Sequence, residues 1–139
     1  MIILDTNVLS ALMRSVPEQP VVTWLDRQPA DSMWTTSITL FEIRFGLALL
    51  PGGRRRRTLQ ASFDAVLKED LDNRILDFDD AAAAEAALLA AERQTAGRVV
   101  DLRDTQIAGI ALARRATLAT RNVRHFEGLG ALLVDPWAT

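Results

Sequence analysis

Short apolar runs alternate along this chain with longer segments whose apolar residues recur at helical spacing, and this alternation constrains the fold more than any other feature. The runs have the length and composition of strands that are buried in a parallel sheet. They occupy residues 1–4, 33–36, 74–78, 117–120 and 131–134. Because strands that alternate with helices pair in parallel through right-handed crossovers, the pattern predicts a three-layer α/β/α domain with a mostly parallel central sheet of about five strands.

The segments between the apolar runs predict helices, several of which have recognisable ends. Pro51, Gly52 and Gly53 end one of them, Asp79 or Asp80 caps another, and Gly97 closes it. The predicted helices cover residues 7–14, 21–27, 39–49, 54–69, 79–94 and 103–115. No repeat, linker or low-complexity tract interrupts the 139 residues, so residues 1–139 are predicted to form a single domain.

Composition excludes several classes of site. The chain contains no cysteine, which removes disulfides, thiolate metal sites and cysteine nucleophiles. Its net charge is −2, so binding to a nucleic acid would depend on local positive charge or on a metal ion. The first apolar run reaches Asp5 too soon for a signal peptide, and the alanine-rich run that contains Glu85 is too short to span a bilayer. We therefore expect a cytoplasmic protein that does not bind membranes.

Three acidic residues are predicted to meet at one edge of the sheet. Asp5 follows the first strand, Glu42 lies early in the helix after the second strand, and Asp104 lies in the first turn of the helix before the fourth strand. Sites in open parallel sheets form beyond the carboxyl ends of the strands. Three carboxylates at one place repel one another unless a cation neutralises them, and an oxygen-only ligand set suits Mg²⁺ or Mn²⁺.

Each acid also has a structural interpretation. Asp5 can cap the helix that begins near it, and Thr39 with Glu42 matches a capping box. Asp101 can cap a helix whose first turn carries Asp104, where a negative charge is favoured by the helix dipole. Spacing alone leaves open whether these acids share a metal ion or stabilise helix ends.

Four short segments of the chain, taken in order, carry recognisable motifs. The first two are DTNVL, which begins at Asp5, and SITLFEIRFG, whose acid is Glu42. The third is DTQIAGIA, which begins at Asp104 and fits D-x-x-I-A-x-x-A. The fourth is LATRN, which ends at Asn122 and is followed by His125. In this order, the four segments resemble the motifs of the PIN-domain nucleases of the VapC/FitB toxin type. The resemblance covers nearly the whole chain and implies a PIN-like fold.

The resemblance also implies roles for individual residues. Asp5 and Asp104 would bind Mg²⁺, with Mn²⁺ as a possible substitute, and Glu42 would complete the acidic cluster directly or through water. Asn122 falls where many relatives carry a fourth acid, so it belongs to the expected catalytic set but adds no charge and leaves a second metal ion in doubt. Asp101 is a possible substitute for that acid.

Two residues near Asn122 are candidates for contacts with the substrate. Thr120 is expected to hydrogen-bond within the site, and Arg121 is the best single candidate for a phosphate contact. The four consecutive arginines at residues 54–57 either guide RNA phosphates or form a solvated helix start. The single His125 cannot support metal-free RNA cleavage by a histidine pair and is interpreted as structural.

The function implied by the resemblance is that of a Mg²⁺-dependent endoribonuclease toxin. A water molecule activated by the metal would hydrolyse RNA phosphodiester bonds. Expected partners are an RNA substrate, a cognate antitoxin, a second copy in a homodimer, and DNA through the antitoxin only, within a higher assembly. Apolar residues on two helices would either contact the antitoxin or fill the core: Leu12, Met13, Val16, Phe45, Leu49 and Leu50.

Two other functions remain as alternatives. A PIN-like chain can lose catalysis and serve as a binding module, although all three acids are present here. A phospho-accepting receiver domain needs an acidic pair before the first strand-end aspartate and a lysine after the last strand. The only lysine is Lys68, in the middle of the chain, so the receiver hypothesis is disfavoured.

Overall fold

Five parallel strands form the central sheet of the computed structural model, which describes residues 1–138, with only the backbone at residues 128, 130 and 131. The strands are β1 (Ile2–Leu4), β2 (Met33–Thr36), β3 (Ile75–Leu76), β4 (Thr117–Ala119) and β5 (Leu133–Val134). They are arranged in the order β3-β2-β1-β4-β5, and each neighbouring pair is parallel. The predicted parallel α/β sheet is confirmed.

Six α-helices within the described residues cover the two faces of this sheet. They are α1 (Thr6–Met13), α2 (Gln19–Asp26), α3 (Ser37–Leu49), α4 (Arg54–Ala65), α5 (Asp80–Thr95) and α6 (Leu102–Arg114). None of these helices combines the length and apolar character needed to cross a membrane, as far as residues 1–138 show. All six lie where the sequence predicted a helix.

The sheet separates two hydrophobic cores, and adjacent residues of β1 contribute to different ones. Leu4 packs with apolar residues of α1, α2, α3 and α4, whereas Ile3 packs with apolar residues of α5 and α6. Both side chains are completely buried. Because successive side chains of a strand point to opposite faces, a central strand that is covered on both faces must be apolar throughout.

The start of α3 corrects one prediction. Thr36 is the N-cap, because its hydroxyl oxygen accepts a hydrogen bond from the backbone N–H of Thr39 at 3.0 Å. The helix therefore begins at Ser37, and the proposed capping box of Thr39 and Glu42 is wrong. Glu42 lies in the second turn, where its side chain is free for contacts outside the helix.

Other boundaries shift by one or two residues, and three elements depart further from the prediction. The helix predicted over residues 54–69 ends as α4 at Ala65 and continues as a π-helical turn, Val66–Asp70. A 3₁₀ segment, Val123–Leu132, was not predicted and shortens the last strand to β5. The third strand contains only Ile75 and Leu76 of the predicted residues 74–78.

α5 and α6 pack closely against each other around Gly109. A β-carbon added to Gly109 of α6 would lie 2.5 Å from the carbonyl oxygen of Ala82 and 2.7 Å from Cβ of Ala86, both in α5. Real β-carbons essentially never approach other atoms so closely. The two helices can lie this near each other because glycine and alanines face each other at the contact.

Candidate metal centre

Asp5 occupies the carboxyl end of the central strand β1 and is almost completely buried. Its side chain is 5% exposed, and its Oδ1 accepts a hydrogen bond from the backbone N–H of Val8 at 3.1 Å, so Asp5 also caps α1. Burial raises the pKa of Asp5 to about 6, mainly because the charged form loses its hydration. The negative charge of Asp104 raises this pKa further, while hydrogen bonds to Asp5 oppose the increase.

Thr120 connects Asp5 to the loop after β4. It is fully buried, and its side-chain hydrogen bond to Asp5 lowers the pKa of that carboxyl. The Thr120 hydroxyl oxygen also accepts a hydrogen bond from the backbone N–H of Asn122 at 3.0 Å. Asn122 thus contributes to the network through its backbone, and its side chain is exposed.

Asp104 lies in the first turn of α6, beside two groups that shift its pKa in opposite directions. Asp101 caps this helix, since its Oδ1 accepts a hydrogen bond from the backbone N–H of Asp104 at 2.9 Å. Oδ2 of Asp104 lies 2.9 Å from Nδ1 of His125. Partial burial raises the pKa of Asp104, the hydrogen bond with His125 lowers it, and the charge of Asp101 raises it.

His125, which was interpreted from the sequence as a structural residue, lies beside Asp104. Its side chain is 58% exposed and contacts Asp104. The residue lies in the 3₁₀ segment that was not predicted, three positions after Asn122. Only its proximity in sequence to the fourth motif could have indicated a role at the acidic site.

Glu42 contacts the chain neighbours of both aspartates. Oε1 accepts a hydrogen bond from the hydroxyl of Thr6, which follows Asp5, at 2.9 Å. Oε2 lies 3.7 Å from a guanidinium nitrogen of Arg103, which precedes Asp104. The structure therefore places the three predicted acids at the same edge of the sheet through these intermediate contacts.

Arg103 is held against Glu42 by two aromatic rings that the sequence analysis did not assign to the site. Its guanidinium carbon lies 5.2 Å from the ring centroid of Phe41 and 5.7 Å from that of Phe45. The two rings stack with their centroids 5.9 Å apart. Cation–π contacts of this kind favour a fixed guanidinium position.

The donor set fits Mg²⁺ in its chemistry but does not form a finished ligand cage. The three acids supply only oxygen, which is the donor type that Mg²⁺ prefers, and the charge of Asp104 raises the pKa of Asp5. Within residues 1–138, however, no three His, Cys, Asp or Glu side chains are arranged to hold a metal ion. Glu42 and Asp104 instead contact Arg103 and His125.

Two polar clefts flank the acids. One has a volume of about 340 Å³ and is lined by Asp104 and His125 together with Arg93, Arg98 and Arg124. The other, of about 220 Å³, lies beside Asp5 and is lined by Arg14 and Arg121 among other residues. Both clefts place arginines near the carboxylates, which supplies the local positive charge that an acidic chain would need to attract phosphates.

The arginines at residues 54–57 lie elsewhere. They form the first turn of α4, where Arg56 and Arg57 line a separate cleft with Gln60 and Asp64. None of the predicted acids lines that cleft. The guanidinium group of Arg56 donates a hydrogen bond to the carbonyl oxygen of Leu50, which favours the interpretation of this run as a solvated helix start.

A family model and a known protein each match this chain over nearly its whole length. The family model described as "PIN domain" matches residues 2–131. The chain is 38% identical to "VapC ribonuclease Y4jK" of Sinorhizobium fredii, over 99% of this chain and 98% of that protein.

Two solved structures have the same fold. One, "Structure of FitAB bound to IR36 DNA fragment", matches with a TM-score of 0.86 and 34% identity, over 99% of this chain and 96% of that chain. The other is a member of the VapBC family of toxin-antitoxin systems, VapBC-5, from Mycobacterium tuberculosis. It matches with a TM-score of 0.66 and 27% identity, over 95% of this chain and 94% of that chain.

Proposed function

This chain belongs to the PIN domain family, and on that premise we propose that it is a Mg²⁺-dependent endoribonuclease that acts as the toxin of a toxin–antitoxin pair. One observation carries the proposal. A carboxylate that is 5% exposed stands at the end of the central strand, and its pKa is raised by its burial and by the charge of Asp104. A cation at this edge would relieve both effects, and a relative that is similar over almost all of its length is a VapC ribonuclease.

In this proposal Asp5 and Asp104 hold the metal ion, and Glu42 completes the site. When bound, Mg²⁺ lowers the pKa of a coordinated water and stabilises charge on the scissile phosphate, and Mn²⁺ can replace it. Thr120 orients Asp5 through the hydrogen bond between their side chains. Asn122 adds an amide without charge, so the residues present support one cation more readily than two.

The remaining steps belong to the side chains. Glu42 is partly exposed, and its carboxylate would accept a proton from the attacking water or orient that water. The contact with His125 holds Asp104 in one orientation. Arginines of the flanking clefts contact phosphates on either side of the bond that is cut.

The proposal is tested by incubating the purified protein with a mixed RNA pool in Mg²⁺. Cleavage fragments are expected in Mg²⁺ or Mn²⁺ and are expected to disappear with excess EDTA. Restoring Mg²⁺ after chelation should restore cleavage, which excludes irreversible unfolding as the cause of the loss. Cleavage that persists undiminished in EDTA would contradict the metal mechanism, and the absence of cleavage in every metal would favour a catalytically silent binding module.

Arg103→Met is expected to tighten Mg²⁺ binding by up to about fivefold, because the variant removes a cation that competes for Glu42. The limit follows from the strength of exposed ion pairs, which is at most about 1 kcal/mol. Titration calorimetry with Mg²⁺ alone measures the change.

Arg114→Met is the matched control for this prediction. Arg114 lies at the other end of α6, forms an ion pair with Asp79, and has 45% side-chain exposure compared with 44% for Arg103. The control variant should bind Mg²⁺ as the parent does. An Arg103 variant that binds Mg²⁺ no more tightly than the Arg114 variant would show that the arginine does not compete with the metal ion.

Exposed apolar residues on α3 and at Val16, which follows α1, support an antitoxin partner and a homodimer. Among the six residues considered for such a surface, Val16, Phe45 and Leu49 are exposed, whereas Met13 is buried in the core and Leu12 and Leu50 pack against it. Half of the predicted groove is therefore available for a partner. The DNA-bound structure of a similar chain supports operator binding through the antitoxin within a larger assembly.

A further inference from the structure

A small polar cleft lies beside the acidic site. It has a volume of about 220 Å³, and its lining includes Asn7, Arg14, Glu18, Arg121, Asn122 and Trp137. Pockets that enclose drug-sized ligands usually measure roughly 300–1,000 Å³, so a nucleotide bound in this cleft would lie partly outside it.

Trp137 and Arg121 form a stacked pair on one wall of the cleft. The guanidinium carbon of Arg121 lies 4.9 Å from the centroid of the Trp137 ring. Arg121 forms no ion pair with any residue of the part of the chain that the structure describes, and its side chain is exposed. One face of the guanidinium plane is thus supported by an aromatic ring while the group faces the cleft.

Glu18 contacts both the ring of Trp137 and a second cation, Arg14. Its Oε2 accepts a hydrogen bond from the indole N–H of Trp137 at 2.7 Å, and its Oε1 pairs with Arg14 at 3.0 Å. The single carboxylate therefore holds Trp137 and Arg14 on the same cleft. This arrangement sets two guanidinium groups and one planar ring in defined positions.

The cleft is joined directly to the acidic site. Arg121 follows Thr120, whose side chain bonds to Asp5, and the backbone N–H of Asn7 also donates to Asp5. A strand whose phosphate reaches the acids would therefore pass its neighbouring nucleotide into this cleft.

We propose that this cleft binds the RNA nucleotide adjacent to the scissile phosphate, with its base on the Arg121–Trp137 stack and its phosphate between Arg14 and Arg121. The inference rests on the proposed ribonuclease function and adds the place where the strand is held. Bases that have left a helix stack on aromatic rings and on arginine planes, and arginine pairs with phosphate oxygens. The side-chain amides of Asn7 and Asn122 can hydrogen-bond to the base edge, which makes the cleft a source of base preference.

The test measures binding without cleavage. A fluorescein-labelled pool of random single-stranded RNA octamers is titrated in EDTA, and its anisotropy gives the dissociation constant for each variant. Arg121→Met and Trp137→Leu are each expected to weaken binding about tenfold, as is usual for the loss of one stacked base. Trp137→Phe keeps an aromatic support and should retain most of the affinity, so the conclusion does not depend on how well the leucine variant folds.

Arg115→Met is the matched control, because Arg115 lies at the opposite end of α6 from Asp104 and loses the same charge. It should bind the pool as the parent does. Equal affinity of the Arg121→Met variant and the parent would overturn the inference. So would equal affinity of the parent for the RNA pool and for an abasic sugar–phosphate strand of the same length, because the cleft would then hold no base.

The outcomes separate this inference from the proposed function. If the parent cleaves RNA in Mg²⁺ but Arg121→Met binds RNA as the parent does, the nuclease assignment stands and the nucleotide-binding cleft is rejected. If the parent binds RNA through Arg121 and Trp137 but cleaves no RNA in any metal, the nucleotide-binding cleft stands and the nuclease assignment is rejected.

Discussion

Replacing Asp5 by asparagine is expected to reduce RNA cleavage by at least about 100-fold and, at the same time, to make the metal-free protein more stable. The loss of activity follows because the variant removes the negative charge nearest the centre of the sheet edge. Loss of residues that only support a metal ligand costs about 10–100-fold, so loss of the proposed ligand itself should cost no less.

The gain in stability follows from the pKa of Asp5. Folding raises it from 3.8 to about 6, so the folded state binds this proton more tightly than the unfolded state does. The contribution of Asp5 to the free energy of unfolding therefore falls as the pH rises from 3.8 to about 6, and the deficit persists above that range. This difference between the two pKa values corresponds to about 3 kcal/mol. That figure is the upper limit for the increase in the free energy of unfolding when asparagine replaces Asp5.

Chemical denaturation in EDTA at pH 4 and pH 8 measures this effect. The Asp5→Asn variant should exceed the parent in stability at pH 8 and approach it at pH 4. Mg²⁺ should raise the stability of the parent but not that of the variant. If Asp5→Asn cleaves RNA at the parent rate, the assignment of Asp5 as a metal ligand is wrong. If the variant is less stable than the parent at pH 8, the charge of Asp5 does not destabilise the metal-free folded state.

A pair of variants in α6 gives the matched control. Asp104→Asn should lose cleavage as Asp5→Asn does. Asp101→Asn should keep it, because asparagine caps helices as well as aspartate and the Asp101 carboxylate accepts the backbone N–H of Asp104. Loss of cleavage in the Asp101 variant would instead assign Asp101 the role of the missing fourth acid.

Replacing Gly109 by alanine is expected to lower the free energy of unfolding by about 2 kcal/mol, although alanine is the better helix former. The added methyl group would meet the backbone of Ala82 and the side chain of Ala86, neither of which can turn aside. Overpacking of a close contact costs about 1–3 kcal/mol, which outweighs the helix propensity gained. Since α6 carries Asp104, the variant should also lose cleavage.

Gly46→Ala is the control for this effect, since Gly46 lies within α3 and a β-carbon there meets nothing within 4 Å. Its unfolding free energy should rise by about 0.5–1 kcal/mol, which is the ordinary preference for alanine in a helix. Denaturant titration of the two variants should give opposite signs. A Gly109 variant as stable as the Gly46 variant would show that α5 and α6 separate without cost.

The alternation of strands and helices could be predicted because it depends on local patterns. Ile3 and Leu4 are apolar together because both faces of β1 are covered, and the proline–glycine segment after α3 ends that helix in any context. The start of α3 could not be placed because Thr36 and Thr39 are both capping residues, and only the buried hydrogen bond between them decides which one caps. Gly128 and Gly130 lower the helix propensity of the 3₁₀ segment Val123–Leu132, so propensity did not distinguish it from a loop.

The acidic site was predictable in position and not in its contacts. Asp5 follows a fully apolar strand, so its place at a buried sheet end follows from sequence alone. The contacts of Glu42 with Arg103 and of Asp104 with His125 join elements that are distant along the chain, and no spacing rule encodes them.

The outermost strands of the sheet, β3 and β5, contain only two residues each. Long, flat edge strands present rows of unpaired amide and carbonyl groups that recruit strands from other molecules into aggregates. Edges this short offer few such groups, so concentrated solutions of the folded chain should resist growth into fibrils by strand addition. For the same reason, a protein that captures this chain gains little from main-chain pairing at the edges, and its selectivity must come from the side chains that it meets on the helices.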